Sequence, residues 1–141
     1  MIGQRCEELK VRPEIYDTGC YFLCLCYLSW QYSDPEYSIR AKKIIETYDW
    51  AVKNKFMQQD CYILEPQMII DHLTKPKFRL IFNGKYNAEY ELKENEVAIE
   101  LWNYAPKNWW HFVIGNYDPW KESITRKKGT LDSYRVWEVI E

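Results

Sequence analysis

The chain has 141 residues, of which 47% are hydrophobic, and its formal net charge is −2. This length suits one ordinary domain that buries a core without disulfide or metal staples, so we expect a single domain over residues 1–141. The net charge gives no electrostatic case for a nucleic-acid partner, which requires a basic face, so we expect none. The start is polar and the longest apolar run, residues 20–28, is too short to span a bilayer, so we expect no membrane partner and a cytoplasmic protein.

The first strong element is an apolar run at residues 20–30, CYFLCLCYLSW. Residues 1–16 before it carry a weak pattern, and Pro13 favours an extended approach. Asp17-Thr18-Gly19 then form a turn and cap cluster. A buried strand is one interpretation of the apolar run, but its length and the capping residues before it favour a helix at the centre of the domain.

Two further helices are predicted in the first half of the chain. Asp34-Pro35 combines a cap residue with a proline at the first helical position, and the spacing of Ile44 and Tyr48 predicts an amphipathic helix after it. A shorter helix is predicted to begin near Glu65-Pro66 and to end before Pro76.

The second half changes to the alternating pattern of strands. One strand is predicted around Leu80, ending at the turn signal Asn83-Gly84, and the basic residues 126–128 beside Gly129 predict a hairpin turn. Three more strands are predicted at residues 96–102, 111–116 and 134–140. Helices first and strands afterwards predict an α+β fold, with an antiparallel sheet packed on the helical half.

Cys20 stands where the predicted central helix begins. The amides and the macrodipole at a helix N-terminus stabilise a thiolate and later the oxyanion of a tetrahedral intermediate. The alternative is that Cys20 is a small buried apolar residue like Cys24 and Cys26. These three lack the paired spacing of structural zinc sites, and five cysteines form no even framework, so we expect reduced thiols, no metal and no cofactor.

His111 begins a predicted strand, and Asp118 follows it closely before Pro119. A histidine that serves as the base for a thiol needs an acceptor that orients its other ring nitrogen, and Asp118 supplies one if the chain folds back. Asn116 or Asn103 can fill the same role. The alternatives are a structural histidine that binds a backbone group and a turn-forming aspartate before proline.

Aromatic residues make up 17% of the chain and include seven Trp. In a body of this size several of these rings must lie at the surface, where they often line a groove. Trp109, Trp110 and Trp120 are the candidates for a substrate groove, with core packing as the alternative for the first two. A weaker interpretation of the aromatic surplus is a carbohydrate-directed or cell-wall-directed domain.

These motifs together resemble those of the papain-like cysteine peptidases. They are Asp17-Thr18-Gly19-Cys20 at the head of a buried helix, His111-Phe112-Val113 on a strand, and Asp118-Pro119-Trp120 after it. The resemblance is strongest to the bacteriocin-processing peptidases that remove double-glycine leaders, whose layout the segment 60–64 also resembles. Residues 19–22, Gly-Cys-Tyr-Phe, are in addition similar to a motif of small spirochaete and phage proteins.

The resemblance implies a papain-like fold and a thiol hydrolase that cleaves a peptide or isopeptide bond of a peptide or protein substrate. Cys20 is then the nucleophile, His111 the base and Asp118 the residue that orients the base. The family's oxyanion glutamine corresponds to Glu14 here, and an ionised carboxylate cannot donate a hydrogen bond to an oxyanion. The alternative function is therefore a catalytically impaired papain-like protein whose groove binds a peptide or protein.

Overall fold

The computed structural model describes residues 1–33, 39–73, 79–120 and 123–140. Helices fill the first half of the chain and an antiparallel sheet most of the second, which confirms the predicted α+β arrangement. The helices are α1 (Pro13–Thr18), α2 (Cys20–Gln31), α3 (Ala41–Lys53), α4 (Pro66–Leu73) and the short α5 (Thr125–Lys128), with 3₁₀ turns at Glu7–Val11 and Ala105–Lys107. The strands are β1 (Arg79–Asn87), β2 (Glu96–Tyr104), β3 (Trp109–Val113) and β4 (Thr130–Ile140).

Helix α2 is the centre of the core, as its all-round apolar sequence predicts. The side chains from Phe22 to Cys26 are completely buried. Around them lie residues of the neighbouring helices and of the sheet, including Ile44, Tyr48, Ile69, Ile70, Leu73, Ile99 and Trp137. None of the helices that the described residues form has both the length and the apolar character that a bilayer crossing requires.

The described strands form one antiparallel sheet in the order β1-β4-β2-β3. Strand β4 therefore lies between β1 and β2, and β3 lies at an edge. Trp137 of β4 is completely buried and belongs to the same core cluster as α2, so its face of the sheet is turned toward the helices. Strand β3 packs on α2 through Phe112, whose ring stacks on Tyr21 with centroids 4.5 Å apart.

Three local predictions were wrong. Pro13 starts α1 instead of an extended segment, because a proline at the first helical position gives up no hydrogen bond. Asn83-Gly84 lies within β1, where a shift of register between Phe82 and Gly84 marks a bulge. Residues 126–128 form the last part of α5 instead of a hairpin turn.

The predicted ends of two helices lie partly outside the described residues. The start at Asp34-Pro35 and the stop before Pro76 fall on residues 34–38 and 74–78. Within the described chain, α3 begins at Ala41 and buries Ile44 and Tyr48 as predicted.

Gly19 joins α1 to α2 at a point where Ile15 of α1 leaves no room for a side chain. A Cβ atom on Gly19 would lie 2.5 Å from the carbonyl oxygen of Ile15 and 2.9 Å from its Cα. Both are backbone atoms of α1 and cannot rotate away. Glycine at this position therefore allows α2 to begin directly at Cys20.

We expect Gly19→Ala to lower the free energy of unfolding by about 2 kcal/mol, because the new methyl group forces the α1 backbone to shift. Gly3→Ala is the control, since a Cβ there meets only the carbonyl of Pro119 at 3.1 Å. Urea denaturation of both variants checks the prediction. Equal small effects of the two substitutions would show that the backbone of Ile15 does not lie as close to position 19 as described.

Candidate active site

Cys20 is the first residue of α2 and has Gly19 as its N-cap. No side chain of the described residues makes a capping hydrogen bond at this end of the helix. The N-terminal amides of a helix lack intrahelical partners, and the macrodipole adds positive potential there. The thiol is partly exposed and lines a cavity. Its position thus differs from that of a core cysteine.

The other thiols of this region are buried and resist ionisation. Cys24 and Cys26 are completely buried within α2, and burial is the main cause that raises the pKa of each thiol. Burial also raises the pKa of Cys61 to about 12. Because the thiolate is the reactive form, these three residues are poor nucleophiles at neutral pH.

A tight turn brings Asp118 back to His111. The backbone amide and carbonyl of Ile114 exchange hydrogen bonds of 3.0 and 2.8 Å with those of Tyr117, so Gly115 and Asn116 form a two-residue loop. Gly115 has a φ of 52°, a conformation that favours glycine. The short spacing between the imidazole and the carboxylate is therefore enough to close a hairpin.

Asp118 lies on the Nε2 side of the His111 ring. Its Oδ1 is 2.5 Å from Nε2 and also accepts a hydrogen bond of 2.9 Å from the backbone amide of Trp120. The imidazole is only 4% exposed. Asn103, the alternative partner, instead donates its side-chain amide to the carbonyl of Trp109.

The His111 ring interacts with Cys20 as well as with Asp118. Burial lowers the pKa of His111, but hydrogen bonds to Asp118 and Cys20 and the negative charges of both groups raise it by more, to about 9. Since Nε2 faces Asp118, Nδ1 is the ring nitrogen that remains to exchange a proton with Sγ of Cys20. The arrangement thus combines a thiol, an imidazole and a carboxylate, the three groups that the proposed chemistry requires.

Two aromatic stacks dock α2 on the segment that carries His111 and Asp118. Tyr21 follows Cys20 and stacks on Phe112, which follows His111. Further along α2, Tyr27 stacks on Tyr117 with ring centroids 4.7 Å apart and planes within 5° of parallel. Each contact lies next to a site residue in the sequence, so the stacks set the position of the helix head against the imidazole.

Cys20 opens into a cavity of about 590 Å³ between α2, the segment 60–66 and the sheet. The lining is mainly aromatic and aliphatic, and its charged members are Asp60, Lys85 and Arg135. The lining residues are Thr18, Cys20, Tyr21, Asp60, Cys61, Tyr62, Ile63, Leu64, Pro66, Phe82, Lys85, Phe112 and Arg135. A cavity of this size and lining is typical of a site that holds a small ligand or part of a peptide.

The three candidate groove tryptophans lie elsewhere. Trp109, Trp110 and Trp120 line a separate hollow of about 280 Å³, to which His111 also contributes. Trp109 and Trp110 are about half exposed, at 44% and 51%, so they are not core residues. They flank the imidazole in a different hollow from the cavity that Cys20 lines.

Glu14 lies in α1 and lines a third hollow, together with Tyr48 and Gln59. Its Oε1 accepts a hydrogen bond of 3.4 Å from the side-chain amide of Gln59. The carboxylate is not among the groups that line the Cys20 cavity within the described chain.

Arg135 and Lys85, which contribute two of the charges of the Cys20 cavity, were not predicted from the sequence. One signal was present for Arg135, since strand alternation places it on the same face as Trp137. A charged residue on the apolar face of a strand is unusual and indicates a specific partner or a binding site. No sequence pattern indicated Lys85, because the bulge in β1 determines the face of the sheet on which its side chain lies.

We expect the stabilising effect of His111 to disappear as the pH rises from 6.5 to about 9. The pKa of His111 is raised from 6.5 to about 9 in the folded chain, so the charged ring stabilises the fold fully below pH 6.5 and loses this effect through pH 9. The shift corresponds to at most about 3 kcal/mol. Urea denaturation of the wild type and of His111→Gln across this pH range measures it. A difference between the two proteins that does not change with pH would contradict the raised pKa.

Comparison with known proteins gives one match. Residues 2–139 match the model of a family described as "Protein of unknown function, DUF261". No curated protein and no solved structure matches the chain. The match covers almost the whole sequence, including Cys20, His111 and Asp118, and the chain therefore belongs to the DUF261 family of proteins of unknown function.

Proposed function

We propose that this protein is a papain-like thiol hydrolase that cleaves a peptide or isopeptide bond with Cys20, His111 and Asp118. The proposal rests on one observation: the buried imidazole of His111 is bonded to the carboxylate of Asp118 and interacts with the thiol of Cys20 strongly enough to help raise its own pKa. Further support comes from the setting of the thiol at the head of a buried central helix that packs on an antiparallel sheet.

The first half of the reaction forms a thioester. His111 holds the proton of Cys20 on Nδ1, and the thiolate sulfur attacks the carbonyl carbon of the substrate. The carbonyl oxygen becomes an oxyanion in the tetrahedral intermediate. As the C–N bond breaks, His111 gives its proton to the leaving amine, and the acyl group stays on Sγ.

The second half returns the enzyme to its starting state. Water enters the place of the amine, and Nδ1 of His111 accepts one of its protons while the oxygen attacks the thioester. Collapse of the second tetrahedral intermediate breaks the C–S bond and releases a carboxylic acid. The thiolate and the imidazolium are thereby restored, and Asp118 keeps Nε2 as the donor to its carboxylate throughout.

The amides at the start of α2 are the groups suited to hold the oxyanion. No side chain of the described part of the chain caps them, and their dipoles favour negative charge at the position where Cys20 attacks. The carboxylate of Glu14 accepts a hydrogen bond from the amide of Gln59 and does not line the Cys20 cavity within the described chain, although its charge contributes to the raised pKa of Cys61 there. The amides at the start of α2 support a mechanism in which the helix terminus holds the oxyanion without the glutamine that the papain-like peptidases use.

We expect iodoacetamide to label Cys20 roughly tenfold or more faster than Cys6, the other partly exposed thiol, because only Cys20 has an imidazole beside it. His111→Ala should slow labelling of Cys20 and leave Cys6 unchanged. Peptide mapping by mass spectrometry after timed quenching gives both rates in one sample. Equal rates at the two thiols would remove the catalytic assignment.

We further expect the wild type to cut members of a peptide library derived from a digested cell lysate, and Cys20→Ala to cut none. Asp118→Asn should retain roughly 1% of the activity or less, because the imidazole loses its orienting carboxylate. Sequencing of the new peptide ends by mass spectrometry identifies the cuts. Slow labelling of Cys20 together with peptide binding and no cleavage would instead identify a peptide-binding protein that has kept the scaffold.

A further inference from the structure

The Cys20 cavity contains a buried arginine whose charge is not neutralised by the described residues. Arg135 is 7% exposed and lines the cavity from β4. Its Nη1 donates to Oγ of Ser133 at 2.5 Å, while its Nε has no hydrogen-bond partner among the described residues. The guanidinium lies 5.0 Å from the centre of the Phe112 ring.

The guanidinium is also costly to keep charged in this place. Burial is the main cause that lowers the pKa of Arg135, and the ion pairs of the described chain include none for this residue. The charge of Asp132 raises the pKa of Arg135 by less than burial lowers it, and within the described chain the two side chains are linked only through the hydroxyl of Ser133. A buried charge without a partner destabilises a fold, so its retention indicates a role toward a ligand.

A second positive charge lies directly beside the first. Lys85 of β1 is the cross-strand partner of Arg135 and lines the same cavity. The bulge in β1 makes this possible, because Phe82 pairs with Trp137 and Lys85 pairs with Arg135, so residues three apart share one face. Like charges at directly opposed positions repel each other, so placing Lys85 beside Arg135 has a further cost in stability.

One carboxylate belongs to the cavity lining of the described residues, and it does not neutralise this pair. Asp60 is exposed, and its Oδ1 accepts a hydrogen bond of 3.1 Å from the backbone amide of Tyr62. The remaining lining groups near the pair are rings and aliphatic chains such as Tyr21, Phe82 and Leu64. The cavity therefore offers an apolar wall with a positive end.

We propose that Arg135 and Lys85 form a subsite for a carboxylate of the substrate, and that the bond cleaved at Cys20 lies close to an acidic side chain or to a C-terminal carboxylate. This specificity rests on the proposed hydrolase function. The planar guanidinium binds a carboxylate through paired hydrogen bonds, and a peptide carries no other common anion. The apolar wall fits neighbouring uncharged residues of the same peptide.

Alkylation of Cys20 with two reagents tests the subsite without a known substrate. Iodoacetate carries the carboxylate that the subsite binds, whereas iodoacetamide is its neutral analogue. We expect the ratio of the two rates at Cys20 to fall about tenfold in Arg135→Gln and by a smaller factor in Lys85→Gln, because the positive field that concentrates the anion is lost. Arg135→Lys should retain most of the ratio. Arg79→Gln is the control, since Arg79 is exposed on β1 and does not line the cavity.

A ratio that stays at the wild-type value in both Arg135→Gln and Lys85→Gln would overturn the subsite. Lys85 is exposed, so its substitution keeps the test decisive even if Arg135→Gln fails to fold. The outcome is separate from that of the proposed function. Slow alkylation by both reagents counts against catalysis, whereas an unchanged ratio with fast alkylation counts against the subsite alone.

Protection of Cys20 from iodoacetamide distinguishes the two sources of the carboxylate. The probes are acetyl-Ala-Glu-Ala-amide, acetyl-Ala-Gln-Ala-amide and acetyl-Ala-Ala-Ala with a free C-terminus. Stronger protection by the first than by the second assigns the subsite to an acidic side chain, and protection by the third assigns it to a chain end. Equal protection by all three, or protection by none, contradicts the subsite.

Discussion

The contact between α2 and the hairpin that follows β3 is the interaction on which the candidate site depends. The thiol belongs to the first third of the chain and the imidazole to the last third, so nothing local brings them together. The stacks of Tyr21 on Phe112 and of Tyr27 on Tyr117 hold α2 against the segment that carries His111. Such pairs contribute about 1 kcal/mol each beyond the area they bury, and they also set the angle between the two surfaces.

The same region carries several features that cost stability. A Cβ atom at position 19 would overlap the backbone of Ile15, the imidazole of His111 is desolvated, and Arg135 is buried without an ion-pair partner among the described residues. Folds tolerate such departures where function requires them and offset them by good packing elsewhere. Here the offset comes from the fully buried residues of α2 and of the helices around it.

The sequence predicts the central helix and β2 closely, because a long apolar run after a cap cluster and a clear alternation are both local signals. Short motifs also singled out Cys20, His111 and Asp118, and their catalytic roles stay a prediction. The cavity lining was not predicted, since the facing of Lys85 depends on a bulge and on pairing with a strand far along the chain. Trp109, Trp110 and Trp120 line a second hollow beside His111, and their role in a substrate groove stays a prediction.

The strand order has a consequence for newly made chains. Strand β4 supplies the partner of both β1 and β2, yet it is synthesised after Cys20, His111 and Asp118. Until residues 130–140 leave the ribosome and pair with β1 and β2, these two strands are not joined in one sheet. Strand β1 and the β2–β3 pair therefore join into one sheet only after β4 has been made, and Arg135 completes the lining of the Cys20 cavity at that last step.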